Sequence, residues 1–372
     1  MSLAAKFVSR AITKFIPRGT HFVIPSIFAM NQKIALLKNL VSIPSVSTHE
    51  SEAVDFLIGE AQKLNFDEVK KDGAGNFVAR RGNGEKTILL VGHIDTVPGD
   101  IPVKIKDNKL HGRGSVDAKG SLATFVWAAR EAELPKNLTV IIIGCVEEEI
   151  YTSKGARHIL DKYSPGFIII GEPSGWDRIT IGYKGGLRFN YKDNQSLAHA
   201  STGQNSTTDK AVDFVNEARA YLSKFKPKQS GIFYEPHFEL RSFNTSHNGL
   251  TERVELNGNL RVPPGFEVLA FKNFLSNYPV EISEDIAPIA AEKNNDLVKA
   301  FLASIRHSGG EPRFVKKTGS SDMNILASYW PKIPILAYGP GDSKLDHTPD
   351  EHLDLEEYLK SINVLKQTLP KI

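Results

Sequence analysis

The segment LTVIIIGCV, residues 138–146, narrows the fold more than any other. It carries no charge, is rich in β-branched side chains and is short for a buried helix, so it predicts a strand with both faces covered. Three further runs share its character: TILLV (87–91), FIIIG (167–171) and IPILAYG (333–339). Helical spacing fills the gaps between them. Ile34, Leu37, Leu40 and Val41 precede Pro44, and a capping box from Ser47 and Glu50 is expected ahead of Ala53, Phe56, Leu57 and Leu64. SLATFVWAAREA, a helix near Lys154–Lys162 and the closing EEYLKSINVLKQTL complete the set. Doubly buried strands alternating with helices predict an α/β fold: a mixed, largely parallel sheet covered by helices on both faces.

The middle of the chain changes character. Between about Ile179 and Ile289 the strands are mixed in polarity: ITIGYKGGLRFNYKD, FYEPHFELRSFNT, TERVELNGNLRV and one around VEISED. The helices AVDFVNEARAYLSKF and EVLAFKNFLSN separate them. Strand, helix, two strands, helix, strand is the order of a small α/β sandwich. The expected organisation is a catalytic domain of residues 30–178 and 290–372, with residues 179–289 inserted as the smaller domain.

Residues 1–29 contain no acid, and Lys6, Arg10 and Lys14 fall at helical spacing, with Phe7, Ile12, Phe15 and Ile16 largely on other sides. Composition admits an organellar presequence. The expectation is a poorly ordered, dispensable basic extension, with Met30 just ahead of the first helix. No uninterrupted apolar run approaches the roughly 20 residues of a membrane helix. A net charge of +3 gives no argument for nucleic acid or membrane binding. The single cysteine, Cys145, excludes an intrachain disulfide and points to a reducing, cytoplasmic setting; inside its apolar run it reads as core.

Ligands of open α/β sheets gather beyond the carboxyl ends of the strands. TILLV runs into His93 and Asp95, LTVIIIGCV into Glu147, Glu148 and Glu149, and FIIIG into Glu172. GRGSVDAKG puts Asp117 in a glycine-rich bend before a helix, and GPGDSKLDHTPDE carries His347 beside Asp346. Singly, each has an ordinary structural reading: a packed histidine, acids at a helix N-terminus, an aspartate in a turn. Jointly, so many carboxylates on one rim are costly to desolvate unless cations neutralise them. Two imidazoles with three carboxylates suit two borderline-soft divalent ions sharing one carboxylate, most simply zinc.

GHIDTVPG, LHGRGSVDAKG, VEEEIYTSKGAR, GEPSG and LDHTPDE together resemble the dinuclear-zinc amidohydrolases and exopeptidases that include carboxypeptidase G, succinyl-diaminopimelate desuccinylase and acetylornithine deacetylase. The resemblance runs from Met30 to the C-terminus. It implies that His93 and Glu172 bind one zinc, that Glu149 and His347 bind the other, and that Asp117 bridges them, with cobalt able to substitute. It also implies that Asp95 accepts a hydrogen bond from His93 and that Glu148 is the general base. The pair Glu147/Glu148 remains an alternative to Glu148/Glu149. The inserted domain is implied to be a lid and homodimer interface, with His199 an oxyanion stabiliser lent by the neighbouring subunit. The glycine usual upstream of that histidine is replaced here by Ser196, Leu197 and Ala198. Arg261 is implied to clamp a substrate carboxylate, against an exposed strand arginine as the plain reading, and Ser320, Ser321 and Gly339 to contact substrate.

Within the family, VEEEIYTSKGAR, KTGSSDMN and AYGPGDSKLDHTPDE are most similar to the branch that frees lysine or ornithine from an acidic amino-group carrier protein. That branch cleaves the amide on the carrier's C-terminal glutamate side chain. Arg313, Lys316 and Lys317 are then expected to dock the carrier. Small-amide deacylation, as of acetylornithine, and a non-catalytic carrier- or metal-binding relic are the competing readings.

Overall fold

The computed structural model describes residues 23–372. The basic segment as far as residue 22, with Lys6, Arg10 and Lys14, lies outside the described residues. Helix α1 (Val23–Val41) begins ahead of Met30, so the boundary expected between residues 29 and 30 falls inside a helix. Then follow α2 (Ser51–Lys63), β1 (Glu68–Lys71), β2 (Phe77–Arg81), β3 (Lys86–His93), β4 (Lys104–Lys106), β5 (Lys109–His111), α3 (Lys119–Glu131), β6 (Leu138–Cys145), α4 (Lys154–Ile159), β7 (Phe167–Gly171) and β8 (Arg178–Tyr183). Next are β9 (Gly185–Ser196), α5 (Thr207–Ser223), β10 (His237–His247), β11 (Thr251–Val262), α6 (Val268–Leu275) and β12 (Val280–Ile286). The chain ends with β13 (Ile289–Ala290), α7 (Asp296–His307), β14 (Arg313–Lys317), α8 (Asp322–Tyr329), β15 (Ile335–Ala337), β16 (His352–Asp354) and α9 (Leu355–Thr368). None of the described helices is long and apolar enough to cross a membrane.

Nine strands form the large sheet, in the order β1-β2-β6-β3-β7-β15-β8-β13 with β14 also beside β8. Its centre, β6-β3-β7-β15, is parallel, and β1, β2, β8 and β13 flank it in antiparallel pairings. Side chains alternate across a strand, which explains the unbroken apolar runs. Ile88, Leu90, Val140 and Ile142 meet Leu37 of α1, Leu57 of α2, Phe125 of α3, Phe301 of α7 and Ile362 of α9. Leu89, Val91, Ile141, Ile143 and Cys145 meet Ile159 of α4 and Leu326 of α8 on the other face. Each such side chain contributes about 1.5–3 kcal/mol when fully buried, so replacing one by an unpartnered polar residue is costly on either face.

A four-stranded antiparallel sheet, β10-β11-β9-β12, forms the smaller unit, with Phe214 of α5 and Phe271 of α6 in its core. The expected strand ITIGYKGGLRFNYKD is two strands in two sheets. β8 belongs to the large sheet, and the chain passes through Lys184 into β9. By sheet membership the insertion runs from Gly185 to Ile286, inside the expected 179–289. The crossing is tight: a Cβ at Gly185 would stand 2.7 Å from the Pro288 nitrogen of the returning chain. The buried Lys184 ammonium donates to the Glu235 carbonyl at 2.6 Å. Nothing in hydrophobic periodicity marks such a change of sheet.

The Ser47/Glu50 capping box is not formed. Glu50 sits at the N-cap of α2 without a side-chain cap bond; its carboxylate accepts from the amides of Thr48 and Glu147. Ser47 donates instead to Asp95 Oδ2 at 2.7 Å. A polar partner across the fold outcompetes the local one.

Gly92, Gly144 and Gly171 stand side by side on β3, β6 and β7, and α3 lies against this row. A Cβ at Gly144 would come within 2.9 Å of Leu122 Cδ2, and one at Gly171 within 2.9 Å of Phe125 Cε2. The glycines let α3 lie close to the sheet, which carries Asp117, two residues before α3, up to the strand ends. Gly144→Val is expected to lower unfolding stability by about 1–3 kcal/mol through overpacking, read as the denaturant midpoint at unchanged slope.

Candidate metal centre

His93 is the last residue of β3 and is buried. Its Nδ1 lies 3.0 Å from the Asp95 carbonyl oxygen and 3.4 Å from Asp95 Oδ1, and its Nε2 lies 3.2 Å from Asp117 Oδ1. The hydrogen bond that fixes the ring is therefore donated mainly to the Asp95 backbone, not to the carboxylate expected to accept it. That carboxylate has another task. Oδ1 accepts from the Glu148 amide at 3.1 Å, and Oδ2 accepts from the Glu149 amide at 3.0 Å and from Ser47. Burial opposes its charge, but the His93 ring and these donors outweigh that and hold its pKa below the usual carboxylate range. Asp95 thus fixes the turn that presents the acids after β6.

Asp117 lies between the two histidines. Its Oδ1 faces His93, and its Oδ2 lies 3.2 Å from His347 Nε2, which is also 3.0 Å from Glu149 Oε2. His347 reaches in from a loop with left-handed backbone at φ 61°. Glu351, fully buried, holds the Asp117 backbone. Its Oε1 accepts from the Val116 and Asp117 amides at 2.9 and 3.2 Å, and its Oε2 accepts from Arg113 at 2.8 Å. The Asp117–Ala118 peptide is cis.

The triple acid separates by direction. Glu147 turns away, accepting from Thr152 at 2.7 Å with Lys154 Nζ at 3.3 Å. Glu148, Glu149 and Glu172 line one cavity together with Asp117 and His347. Ligand atoms of His93, Asp117 and Glu149 lie within 4.8 Å of one another. This geometry favours Glu148/Glu149 over Glu147/Glu148 as the working pair.

The charges of this rim are interdependent. Burial pushes Glu148 well above the ordinary carboxylate range and Glu172 up to about 7, the latter despite Lys317 Nζ at 3.7 Å. Burial also raises Glu149, with Asp117 adding to the shift. The hydrogen bonds to Asp117 and Glu149 raise His347 to about 10. Burial disfavours a charge on His93, yet Asp117 and Asp95 raise its pKa well above the imidazole value; Asp117, between two imidazoles, is held far down against its own burial. Four carboxyls at this spacing cannot all ionise at neutral pH without added positive charge. Nitrogen and oxygen donors on both sides of one shared carboxylate fit two divalent cations.

The cavity, of about 400 Å3, pairs these acids with cations. Arg261 of β11 lines it and donates from Nη1 to Ser320 Oγ at 3.0 Å. Lys316 and Lys317 also face it; Lys316 packs over the Tyr234 ring at 4.5 Å. Ser321 is nearly buried, and its Oγ accepts from the Met323 amide at the start of α8. Gly339 is a packing residue and does not line the cavity. Its carbonyl accepts from the Ser174 and Gly175 amides, and a Cβ there would stand 2.8 Å from the Glu172 carbonyl. His199 is exposed, its Nδ1 2.8 Å from Ser201 Oγ, and it does not line the cavity of its own chain. Sequence reasoning left Ser47, Glu351 and Lys317 without a role at this rim. LDHTPDE contains Glu351, but only the fold shows that it reaches Asp117.

Asp95→Asn puts an NH2 group against backbone amides or Ser47. It is expected to reduce kcat or metal affinity roughly 10–100-fold, measured by turnover alongside metal content, with little change in far-ultraviolet circular dichroism.

Comparison with known proteins places these features in context. The model of "Peptidase family M20/M25/M40" matches residues 89–371. The chain is 41% identical over 350 residues to a "[LysW]-lysine hydrolase" of Deinococcus radiodurans, covering 91% of this chain and 96% of that protein. It is also 41% identical over 347 residues to a "Putative [LysW]-lysine/[LysW]-ornithine hydrolase" of Thermococcus kodakarensis, covering 92% of each. Among solved structures, the M20 family metallo-carboxypeptidase Sso-CP2 of Sulfolobus solfataricus shares the fold at a TM-score of 0.72 and 18% identity, over 91% of this chain and 99% of that one.

Proposed function

The chain belongs to the M20/M25/M40 peptidase family and is a metal-dependent amidohydrolase, and we propose that its substrate is an acidic amino-group carrier protein carrying lysine or ornithine. The bond cleaved joins the side-chain carboxyl of the carrier's C-terminal glutamate to the α-amino group of the amino acid, which is released for lysine or arginine biosynthesis. One observation carries the reading: a carboxyl whose ionisation is disfavoured, Glu148, and a carboxylate shared by two imidazoles open on a cavity lined by Arg261 and Lys317. A substrate with two carboxylates beside its scissile amide needs that combination. The names of both relatives, matched over nine-tenths of the chain, agree with it.

In this reading His93 and Glu172 would hold one divalent ion and Glu149 and His347 the other, with Asp117 serving both. Zinc suits the donor set, and cobalt can replace it. When bound, the ions polarise the amide carbonyl and acidify a water. Glu148 takes the proton from the attacking water and delivers it to the leaving nitrogen. Arg261, oriented by Ser320, forks onto a substrate carboxylate, and Lys317 takes the second. His199 serves the active site of the partner in a homodimer built on the smaller sheet, where it stabilises the developing oxyanion.

Glu148→Gln is expected to reduce kcat by about 10²–10⁴-fold while bound zinc is retained; loss of zinc would recast Glu148 as a ligand, unchanged turnover would remove it as the base, and a wild type without turnover would support a relic site. Turnover of carrier-γ-glutamyl-lysine and -ornithine is expected to exceed that of N-acetylornithine in kcat/KM. The reverse order would assign the chain to small-amide deacylation.

Of the expected docking set Arg313, Lys316 and Lys317, Arg313 is kept and Lys293 joins it. Lys316 and Lys317 line the cavity, so reversing their charge would harm any substrate. Arg313 is exposed, and the neighbouring Lys293 is exposed over Phe314 with Nζ 4.9 Å from the ring. Arg313→Glu with Lys293→Glu is expected to raise KM for the carrier-linked substrate and leave a short γ-glutamyl amide unaffected. Equal effects on both would place the docking surface elsewhere.

A further inference from the structure

A second cluster of metal-competent side chains lies outside the cavity, on the small three-stranded sheet β16-β5-β4. His352 and His111 are direct cross-strand partners, with ring centroids 5.1 Å apart. Asp350, two residues before His352, lies on the same side, because side chains at i and i+2 of an extended segment share a face. One ligand atom from each of His111, Asp350 and His352 lies within 4.8 Å of the other two. The His352 ring is already oriented: Nδ1 donates to the Asp350 carbonyl at 2.7 Å, which leaves the Nε2 lone pair outward. A cation already uses that lone pair, since Lys109 Nζ donates to Nε2 at 3.1 Å.

We propose that His111, Asp350 and His352 form a separate binding site for a borderline transition ion such as zinc, in competition with the Lys109 ammonium. Two imidazoles and one carboxylate are the donor set such ions prefer, and solvent completes the coordination. Lys109 is half-buried and holds His352 Nε2 through this one hydrogen bond, so the ion displaces it for the loss of a single side-chain contact. Glu351, between Asp350 and His352, points to the opposite side and holds the Asp117 amide. An ion joining β5 to β16 therefore braces the strap that fixes Asp117 without touching the cavity.

The test is zinc bound per chain, by equilibrium dialysis of the zinc-loaded enzyme against rising free zinc. Because it compares variants with the wild type, it holds whatever number of ions the catalytic rim carries. The His111→Asn/His352→Asn double variant is expected to bind one zinc fewer than the wild type in the micromolar range. Lys109→Met is expected to take up the same additional zinc at roughly tenfold lower free zinc, the equivalent of one nearby charge removed. Unfolding midpoints of the loaded proteins check folding: the wild type should gain from the additional zinc and the double variant should not. Equal zinc content in wild type and double variant, or an unchanged uptake curve on removing Lys109, would overturn the proposal.

Discussion

The division of one carboxylate between two imidazoles is the arrangement on which the rest of the structure depends. Asp117 meets His93 with one oxygen and His347 with the other, and these three residues come from three distant parts of the chain. His93 is delivered by a strand end, Asp117 by the bend before α3, and His347 by a loop in the left-handed region. Each delivery has its own support. The glycine row across β6, β3 and β7 lets α3 lie low, and Glu351 fixes the Asp117 amide from the far end of the sequence. Displacing any of these by an ångström would leave a buried carboxylate facing one imidazole only.

Electrostatics divides the acids by task. Asp95 is charged and spends both oxygens on the backbone, so it holds other residues in place. Glu147 is turned away from the cavity, to Thr152 and Lys154. Glu148 is half-buried at the cavity wall, with a carboxyl whose ionisation is disfavoured, the property a group needs if it is to accept a proton and return it. Three consecutive backbone positions just after β6 thus give residues of identical chemistry different work. The cause is the turn geometry imposed by Asp95 and Glu50, which accept from the successive amides of Glu147, Glu148 and Glu149.

Much of this was legible in the sequence. Strands covered on both faces leave uninterrupted apolar runs, and those runs end where the rim begins, so β3, β6 and β7 and the residues beyond them could be read from pattern alone. The smaller sheet could be read from its change in polarity. Its edges could not, because β8 and β9 form one continuous run of strand-forming residues across a change of sheet at Lys184. The capping box failed for a related reason: Ser47 had a partner at Asp95 that no local spacing reveals. Lys316 and Lys317 looked like a docking surface because sequence shows charge without position, and β14 makes both part of the cavity wall. Gly339 looked like a substrate contact, whereas its missing Cβ is what lets the backbone pass Glu172.

The central claim is that Asp117 lies between two metal ions, each with its own histidine. Anomalous diffraction from crystals of the zinc-loaded enzyme, recorded on both sides of the zinc absorption edge, tests it most directly. Two peaks about 3.5–4 Å apart, one beside His93 and one beside His347, with the Asp117 carboxylate between them, are predicted. A single peak at this rim, or two peaks of which only one touches Asp117, would contradict the account.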